Sequence, residues 1–207
     1  MSRDMGVMEK IEALAKKMFV GAKPTHDWDH TKRVLHLVER MGTEAQADLQ
    51  ILTAAALLHD IGREEADKRG ECHAEKGAEM AKEILEKCDF PLEKREAVIH
   101  CIRSHRFRDD FVPQTLEAKI LYDADKLDAI GAIGICRAYS YAGENGQHLY
   151  SDFEEEARLT LVIDHREHTP VVEFKVKLSH IKDRMLTPMG RRLAEERHSY
   201  MVSFFER

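Results

Sequence analysis

Residues 51–63 form an apolar run that ends in a histidine and an aspartate, and this feature constrains the fold more than any other. The run is Ile-Leu-Thr-Ala-Ala-Ala-Leu-Leu, followed by His59, Asp60, Ile, Gly62 and Arg63. Its length and composition predict a buried helix, with Gly62 as the stop after its last turn. An imidazole and a carboxylate are costly to bury unless hydrogen-bond partners or a metal ion compensate them. The sequence therefore predicts a metal site at the end of a core helix.

Helical periodicity dominates the rest of the chain. Apolar residues recur every three or four positions, and Asp27 and Asp48 are suitable N-caps for the second and third helices. The charged segment 63–71 and the Gly- and Asn-rich segment 142–150 are predicted loops, and segment 151–170 gives no clear pattern. The predicted helices cover about residues 5–20, 27–41, 48–60, 73–88, 92–106 and 115–139, with one or two more within 171–206.

Composition limits the class of protein. With 207 residues, of which 43% are hydrophobic, the chain fits one domain. Only Val171–Val176 has a strand-like pattern, so we expect an all-α, single-domain helical bundle over residues 1–207. Its metal-binding core is expected at about residues 10–140 and a C-terminal helical extension at about 150–207.

Charge and cysteine usage limit location and partners. A net charge of −6 with no basic stripe argues against a nucleic-acid partner. No apolar stretch is long enough to span a membrane, and the N-terminus lacks a signal-peptide core. The four cysteines form no CxxC pair, which is typical of reduced thiols in the cytoplasm. We expect a cytoplasmic protein without a membrane partner, and its oligomeric state stays open.

Four positions combine metal-ligand chemistry with faces that are otherwise apolar: His30, His59, Asp60 and Asp125. Two imidazoles and two carboxylates suit Mn²⁺, Fe²⁺, Co²⁺, Ni²⁺ or Zn²⁺, and suit Mg²⁺ less well; we favour Mn²⁺ or Fe²⁺. Four protein ligands leave two positions of an octahedral ion open. An ion with open positions can activate water at neutral pH, so the site is catalytic in character.

Four motifs in this order carry a family resemblance. They are His-Asp-Trp-Asp-His-Thr-Lys-Arg-Val at 26–34, Leu-His-Asp-Ile-Gly-Arg at 58–63, His-Ala-Glu-Lys-Gly-Ala at 73–78, and the segment 123–137. Together they resemble the HD-domain metal-dependent phosphohydrolase superfamily. The closest likeness is to its small bacterial and archaeal hydrolases, a branch that includes nucleotide pyrophosphohydrolase-like proteins.

The resemblance implies a helical bundle in which His30, His59, Asp60 and Asp125 hold one divalent ion. It implies hydrolysis of a phosphoester or phosphoanhydride by metal-bound water, and we expect a small phosphorylated substrate, most simply a nucleotide. The candidate catalytic residues are Asp60, Arg63, which would neutralise developing charge, and Glu64, which would orient the water. The candidate substrate-binding residues are Arg33, His73, His105, Lys126 and Arg137.

Two alternatives stay open from the sequence. Some branches of the superfamily hold a second metal, and His73 and His105 follow in the order that such enzymes require, with Asp60 as the bridge. The chain could also be a non-catalytic module that binds a nucleotide or metal on the same fold. A nuclease is disfavoured by the acidic balance of the chain.

Overall fold

The computed structural model describes residues 6–22, 26–106, 111–151 and 165–206. Within these ranges it contains ten α-helices and no β-strand, which confirms the predicted all-α fold. No helix in the described part of the chain is long and apolar enough to cross a membrane. The α-helices are α1 (Val7–Met18), α2 (Trp28–Ala45), α3 (Leu49–Leu58), α4 (Arg63–Arg69), α5 (His73–Lys87), α6 (Leu92–Ser104), α7 (Leu116–Asp128), α8 (Gly131–Glu144), α9 (Pro170–Val176) and α10 (Pro188–Phe205).

Backbone contacts divide the chain into two compact units, Met1–Asp125 and Lys126–Arg207. In the first unit, α3 lies at the centre and packs against α1, α2, α5 and α6. From Ile51 onward all of its residues except Thr53 are buried, as its continuous apolar sequence predicts. That residues 1–207 form a single domain stays a prediction.

Both predicted N-caps of the first unit are confirmed. The Asp27 carboxylate accepts a hydrogen bond from the backbone N–H of His30, 3.0 Å away, and so begins α2 three residues before that histidine. The Asp48 carboxylate accepts from Gln50 N and Ile51 N and begins α3. These local bonds fix where the two helices that carry His30 and His59 begin.

Gly62 does not end α3 in the left-handed conformation that the sequence predicts. Its φ is −84° and it is the N-cap of α4. Glycine is needed there for a different reason, because a Cβ at this position would lie 2.3 Å from the backbone nitrogen of Gly77 in α5. The close approach of two backbones, rather than a helix stop, selects glycine.

The predicted loop at 63–71 is wrong, because most of it forms α4. The helix has acidic residues in its first turn and basic residues in its last turn, which complement the helix dipole. Pairs four residues apart reinforce it: Lys68 Nζ lies 2.6 Å from Glu64 Oε1, and Arg69 Nη2 lies 3.0 Å from Glu65 Oε1. A dense run of charges therefore encodes a short helix here.

In the second unit, the single helix predicted over 115–139 is broken. α7 ends at Asp128 and α8 begins at Gly131, whose φ of +79° is incompatible with a continuous helix. The stem of Arg197 packs over Gly131, and its guanidinium donates to the carbonyl oxygen of Leu127, which also accepts from Ile130 N just beyond the end of α7. A contact distant in sequence thus stabilises the break.

The strand-like segment 171–176 is helical. Thr169 caps α9 by accepting from Val172 N, and Pro170 occupies the first turn, where its missing N–H costs nothing. Pro188, similarly capped by Thr187, begins α10. The predicted loop at 142–150 is shorter than expected because α8 continues to Glu144. Residues 152–164, most of the segment without a clear pattern, lie outside the described residues.

Candidate metal centre

The structure brings all four predicted metal ligands of the first unit together. His30 Nε2 lies 3.3 Å from His59 Nε2, 3.7 Å from Asp60 Oδ2 and 3.4 Å from Asp125 Oδ1. His59 Nε2 lies 3.8 Å from Asp60 Oδ2. We call these four residues the first cluster. The side chains of the two histidines and Asp60 are inaccessible to solvent, whereas Asp125 is 17% exposed.

Three helices deliver these groups. His30 lies in the first turn of α2, and His59 caps the C-terminus of α3. Asp125 lies near the C-terminal end of α7, and α7 is tied to the start of α3 by a hydrogen bond of 3.0 Å from Asp48 N to Glu117 Oε1. Because His59 and Asp60 directly follow the buried stretch of α3, that helix places both residues in the core.

A second group of donors lies on the other oxygen of Asp60. His73 Nε2 and His105 Nε2 lie 3.6 Å and 3.7 Å from Asp60 Oδ1. We call Asp60, His73 and His105 the second cluster. Each cluster places three or more potential metal donors within reach of one another, and Asp60 belongs to both.

Backbone hydrogen bonds determine which ring nitrogens carry protons. Nδ1 of His59 lies 2.8 Å from the carbonyl oxygen of Ala56, and Nδ1 of His105 lies 2.6 Å from that of Ile102. A carbonyl oxygen only accepts, so both Nδ1 atoms donate. In the neutral ring the Nε2 atom then offers a lone pair, and both lone pairs point into the clusters.

Burial keeps the imidazoles of His59 and His73 neutral. It lowers the pKa of His59 to about 4, against the opposing influence of Asp60. Burial, reinforced by the charge of Arg63, also lowers the pKa of His73. Burial alone would raise the pKa of Asp60, but the imidazole of His59 and the guanidinium of Arg63 hold it well below its usual value. At neutral pH Asp60 is therefore ionised, and His59 and His73 are neutral.

The donor set of the first cluster fits a divalent cation. Within 3.7 Å of His30 Nε2 lie His59 Nε2, Asp60 Oδ2 and Asp125 Oδ1, which together form a mixed nitrogen and oxygen donor set. Adjacent ligands of a transition metal at its usual bond lengths are roughly 3.0–3.6 Å apart, close to the separations of 3.3–3.8 Å found here. One ion at this point would have all four residues as ligands.

Arg63 contacts both clusters. Its Nε lies 3.1 Å from Asp60 Oδ2 and its Nη2 lies 3.0 Å from Asp60 Oδ1, which is a bidentate pair. The same Nη2 lies 3.2 Å from His73 Nε2. The sequence analysis assigned Arg63 a catalytic role, in which it neutralises developing charge, and missed this contact. The spacing of three residues between Asp60 and Arg63, which brings side chains together on a helical turn, was the available signal.

Comparisons with known proteins decide the family. The protein-family model of the HD domain matches residues 27–130, about half of the chain. The uncharacterised protein YpgQ of Bacillus subtilis is 33% identical over 206 residues, which cover 98% of this chain and 92% of YpgQ. The chain belongs to the HD-domain superfamily of metal-dependent phosphohydrolases.

Solved structures of HD proteins resemble the whole chain. The crystal structure of B. subtilis YpgQ in complex with ADP has a TM-score of 0.74 at 30% identity and covers 97% of this chain and 92% of that chain. An HD-superfamily hydrolase from Bacillus thuringiensis has a TM-score of 0.73 at 31% identity, with 96% and 93% covered. Ribonuclease Y of Thermoanaerobacter pseudethanolicus is 34% identical over 121 residues, which are 58% of this chain but 22% of that enzyme.

The other predicted site residues of this HD-domain protein lie outside the two clusters. Arg33 is half-buried on α2, one turn after His30. Glu64 is 57% exposed and paired with Lys68, so the structure does not bring it to the clusters. Lys126 and Arg137 belong to the second unit, where Arg137 Nη1 lies 2.7 Å from Asp128 Oδ2. Their assigned roles stay predictions.

One buried carboxylate of the HD domain, Asp123, was not among the candidate site residues predicted from the sequence. Asp123 in α7 is inaccessible to solvent. It lies three residues after Ile120 and four before Leu127, both fully buried. That helical spacing marks Asp123 as a residue of the apolar face, and the signal was available in the sequence.

Proposed function

We propose that this phosphohydrolase hydrolyses a phosphoester or phosphoanhydride bond of a nucleotide, most simply the anhydride of a nucleoside di- or triphosphate, with one divalent ion held by the first cluster. The observation that carries the proposal is the convergence of His30, His59, Asp60 and Asp125 on one buried point. Their two carboxylates would neutralise the charge of a single divalent ion.

The nucleotide part of the proposal is supported by YpgQ. That protein has been crystallised with ADP, a nucleotide that contains one phosphoanhydride bond. YpgQ and this chain share the fold over 97% of the present sequence. An adenine nucleotide is therefore the first ligand to test, and the number of phosphates is the first variable.

The residues of the chain have separable tasks in this proposal. The ion, when bound, supplies a Lewis acid for the phosphoryl group and lowers the pKa of water. The carbonyls of Ala56 and Ile102 hold the rings of His59 and His105 in fixed orientation. Arg63, 25% exposed, presents a cation at the edge of the clusters.

The remaining assignments are part of the same proposal. Arg33, Lys126 and Arg137 would bind the phosphates together with His73 and His105, and Glu64 would orient water. Of these residues, His73 and His105 lie nearest to the first cluster, because their Nε2 atoms are 3.6 Å and 3.7 Å from Asp60 Oδ1. Glu64, which is exposed and paired with Lys68, has the least structural support.

The proposal is tested by metal analysis followed by product analysis. Elemental analysis of purified protein should find one transition-metal ion per chain. With Mn²⁺ added, release of phosphate or pyrophosphate should be measured on nucleoside mono-, di- and triphosphates and on a short RNA. His59→Ala and Asp60→Ala should lose both the ion and turnover. His36→Ala, an exposed histidine of α2, is the matched control and should keep both.

The rival function, a non-catalytic nucleotide- or metal-binding module, gives a different result in the same experiment. Nucleotide would bind in the presence of Mn²⁺ without release of product. Cleavage of the RNA with no action on free nucleotides would contradict the proposed substrate class and would favour the activity named for ribonuclease Y.

A further inference from the structure

His73 has one lone pair available, and Arg63 uses it. A guanidinium only donates hydrogen bonds, so the 3.2 Å contact between Arg63 Nη2 and His73 Nε2 requires His73 Nε2 to accept. A neutral imidazole has a single lone pair in its ring plane. While this contact exists, His73 Nε2 is not a free metal ligand.

The same guanidinium also occupies the oxygen of Asp60 that faces the second cluster. Nη2 lies 3.0 Å from Oδ1, nearer than either histidine, whose Nε2 atoms lie 3.6 Å and 3.7 Å away. Arg63 thus contacts two of the three donors of the second cluster. It stands where a second divalent ion would have to bind.

The charges agree with this geometry. The first cluster has two carboxylates, Asp60 and Asp125, and the second cluster adds two imidazoles but no further carboxylate to the shared Asp60. The positive charge of one divalent ion and the Arg63 guanidinium together already exceeds the negative charge of the two carboxylates, Asp60 and Asp125. A second divalent ion beside the guanidinium would be repelled at a distance of a few ångströms in a buried site.

We propose that Arg63 is the resident cation of the second cluster, so that the native chain holds one divalent ion and loss of the guanidinium opens a second divalent-cation site on Asp60, His73 and His105. This inference rests on the proposed metal site of the first cluster. It makes Arg63 a positioning residue that sets the number of ions. The contact with His73 gives it a role distinct from binding of substrate.

The experiment counts metal ions and does not depend on activity. Wild type, Arg63→Met and Arg63→Lys would be equilibrated with Mn²⁺, separated from free metal and assayed by elemental analysis. Electron paramagnetic resonance would then distinguish an isolated Mn²⁺ from an exchange-coupled pair, since ions that share a carboxylate lie about 3.5–4 Å apart. Arg69→Gln, an exposed arginine of the same helix paired with Glu65, is the matched control.

We expect one Mn²⁺ in wild type, Arg63→Lys and Arg69→Gln, and two coupled Mn²⁺ in Arg63→Met. The double variant Arg63→Met with His73→Ala should return to one ion, which locates the second ion at His73. Circular dichroism would verify folding, and should Arg63→Met unfold, Arg63→Gln replaces it with the same expectation.

Two results would overturn the inference alone: one ion in both wild type and Arg63→Met, or two ions in wild type. A wild-type protein that binds no Mn²⁺ would overturn the proposed metal site along with it. Ion counts and product release together therefore separate a failure of this inference from a failure of the proposed function.

Discussion

The Nε2 atoms of His30 and His59 lie 3.3 Å apart, and neither side chain is accessible to solvent. At least one of the two nitrogens offers a lone pair. Two carboxylate oxygens, Asp60 Oδ2 and Asp125 Oδ1, lie 3.7 Å and 3.4 Å from His30 Nε2. A divalent ion held by these groups would offset the cost of burying a carboxylate beside two imidazoles. The stability of the fold should therefore depend on metal.

We expect Mn²⁺ to raise the free energy of unfolding of the wild-type protein. At a hundred times the Kd the gain from mass action is about 2.7 kcal/mol, and for a chain of this size the Tm should rise by roughly 5–10 °C. Differential scanning calorimetry with and without Mn²⁺ measures the shift. His59→Ala should show no shift and His36→Ala the full one. Equal shifts in both variants would contradict binding at the first cluster.

Metal-free protein should lose stability as the pH falls from about 6.5 towards 4. Burial lowers the pKa of His59 to about 4 in the folded state, whereas the unfolded chain has the ordinary value near 6.5. Between these values the unfolded state binds more protons, so acid favours unfolding, by about 3 kcal/mol at most for this group.

Urea unfolding of chelator-treated protein at several pH values measures that dependence. His59→Gln should have a flatter profile between pH 6.5 and 4, because the titrating group is gone. His73, whose pKa is also lowered by burial, would contribute a remaining slope of the same sign. Identical profiles for wild type and His59→Gln would show that His59 titrates normally.

Gly62→Ala should be strongly destabilising. The new Cβ would lie 2.3 Å from Gly77 N and 2.8 Å from Gly77 Cα, so backbone must move. We expect a loss of about 3 kcal/mol or more, at the upper end of what overpacking costs. Gly143→Ala is the opposite case, since nothing lies within 4 Å and the site is helical. It should gain about 0.4–1 kcal/mol. Chemical denaturation compares the two.

Arg137→Met should destabilise the second unit before any effect on substrate is considered. Asp128 is 2% exposed, and Arg137 Nη1 lies 2.7 Å from its carboxylate. Removal of one partner of a buried pair costs about 3–5 kcal/mol because the other charge is left buried. The double variant Arg137→Met with Asp128→Asn should recover part of the loss. A Tm unchanged by Arg137→Met would leave phosphate binding as the better account of this residue.

Much of the first unit was predictable because its signals are local. Helical periodicity placed α1, α2, α3, α5 and α6, and two aspartate N-caps began α2 and α3 where the sequence predicts. The break after α7 and the role of Gly62 were missed because a distant contact decides the backbone there, whereas α4 and α9 were missed although the pairs and caps that stabilise them are local. Arg197 packs over Gly131 at the break between α7 and α8, and the approach of α5 selects Gly62.

By itself, the sequence determined the all-α fold, the family and the kinds of donor that could hold an ion. These follow from residue types at fixed spacings, which any local stretch of chain expresses. The tertiary structure alone decided that Asp60 turns one oxygen to His30 and His59 and the other to His73 and His105, with Arg63 across both. This arrangement around Asp60 depends on how α2, α3, α5 and α6 pack. Packing brings together residues that are distant in the sequence, and no local pattern predicts those contacts.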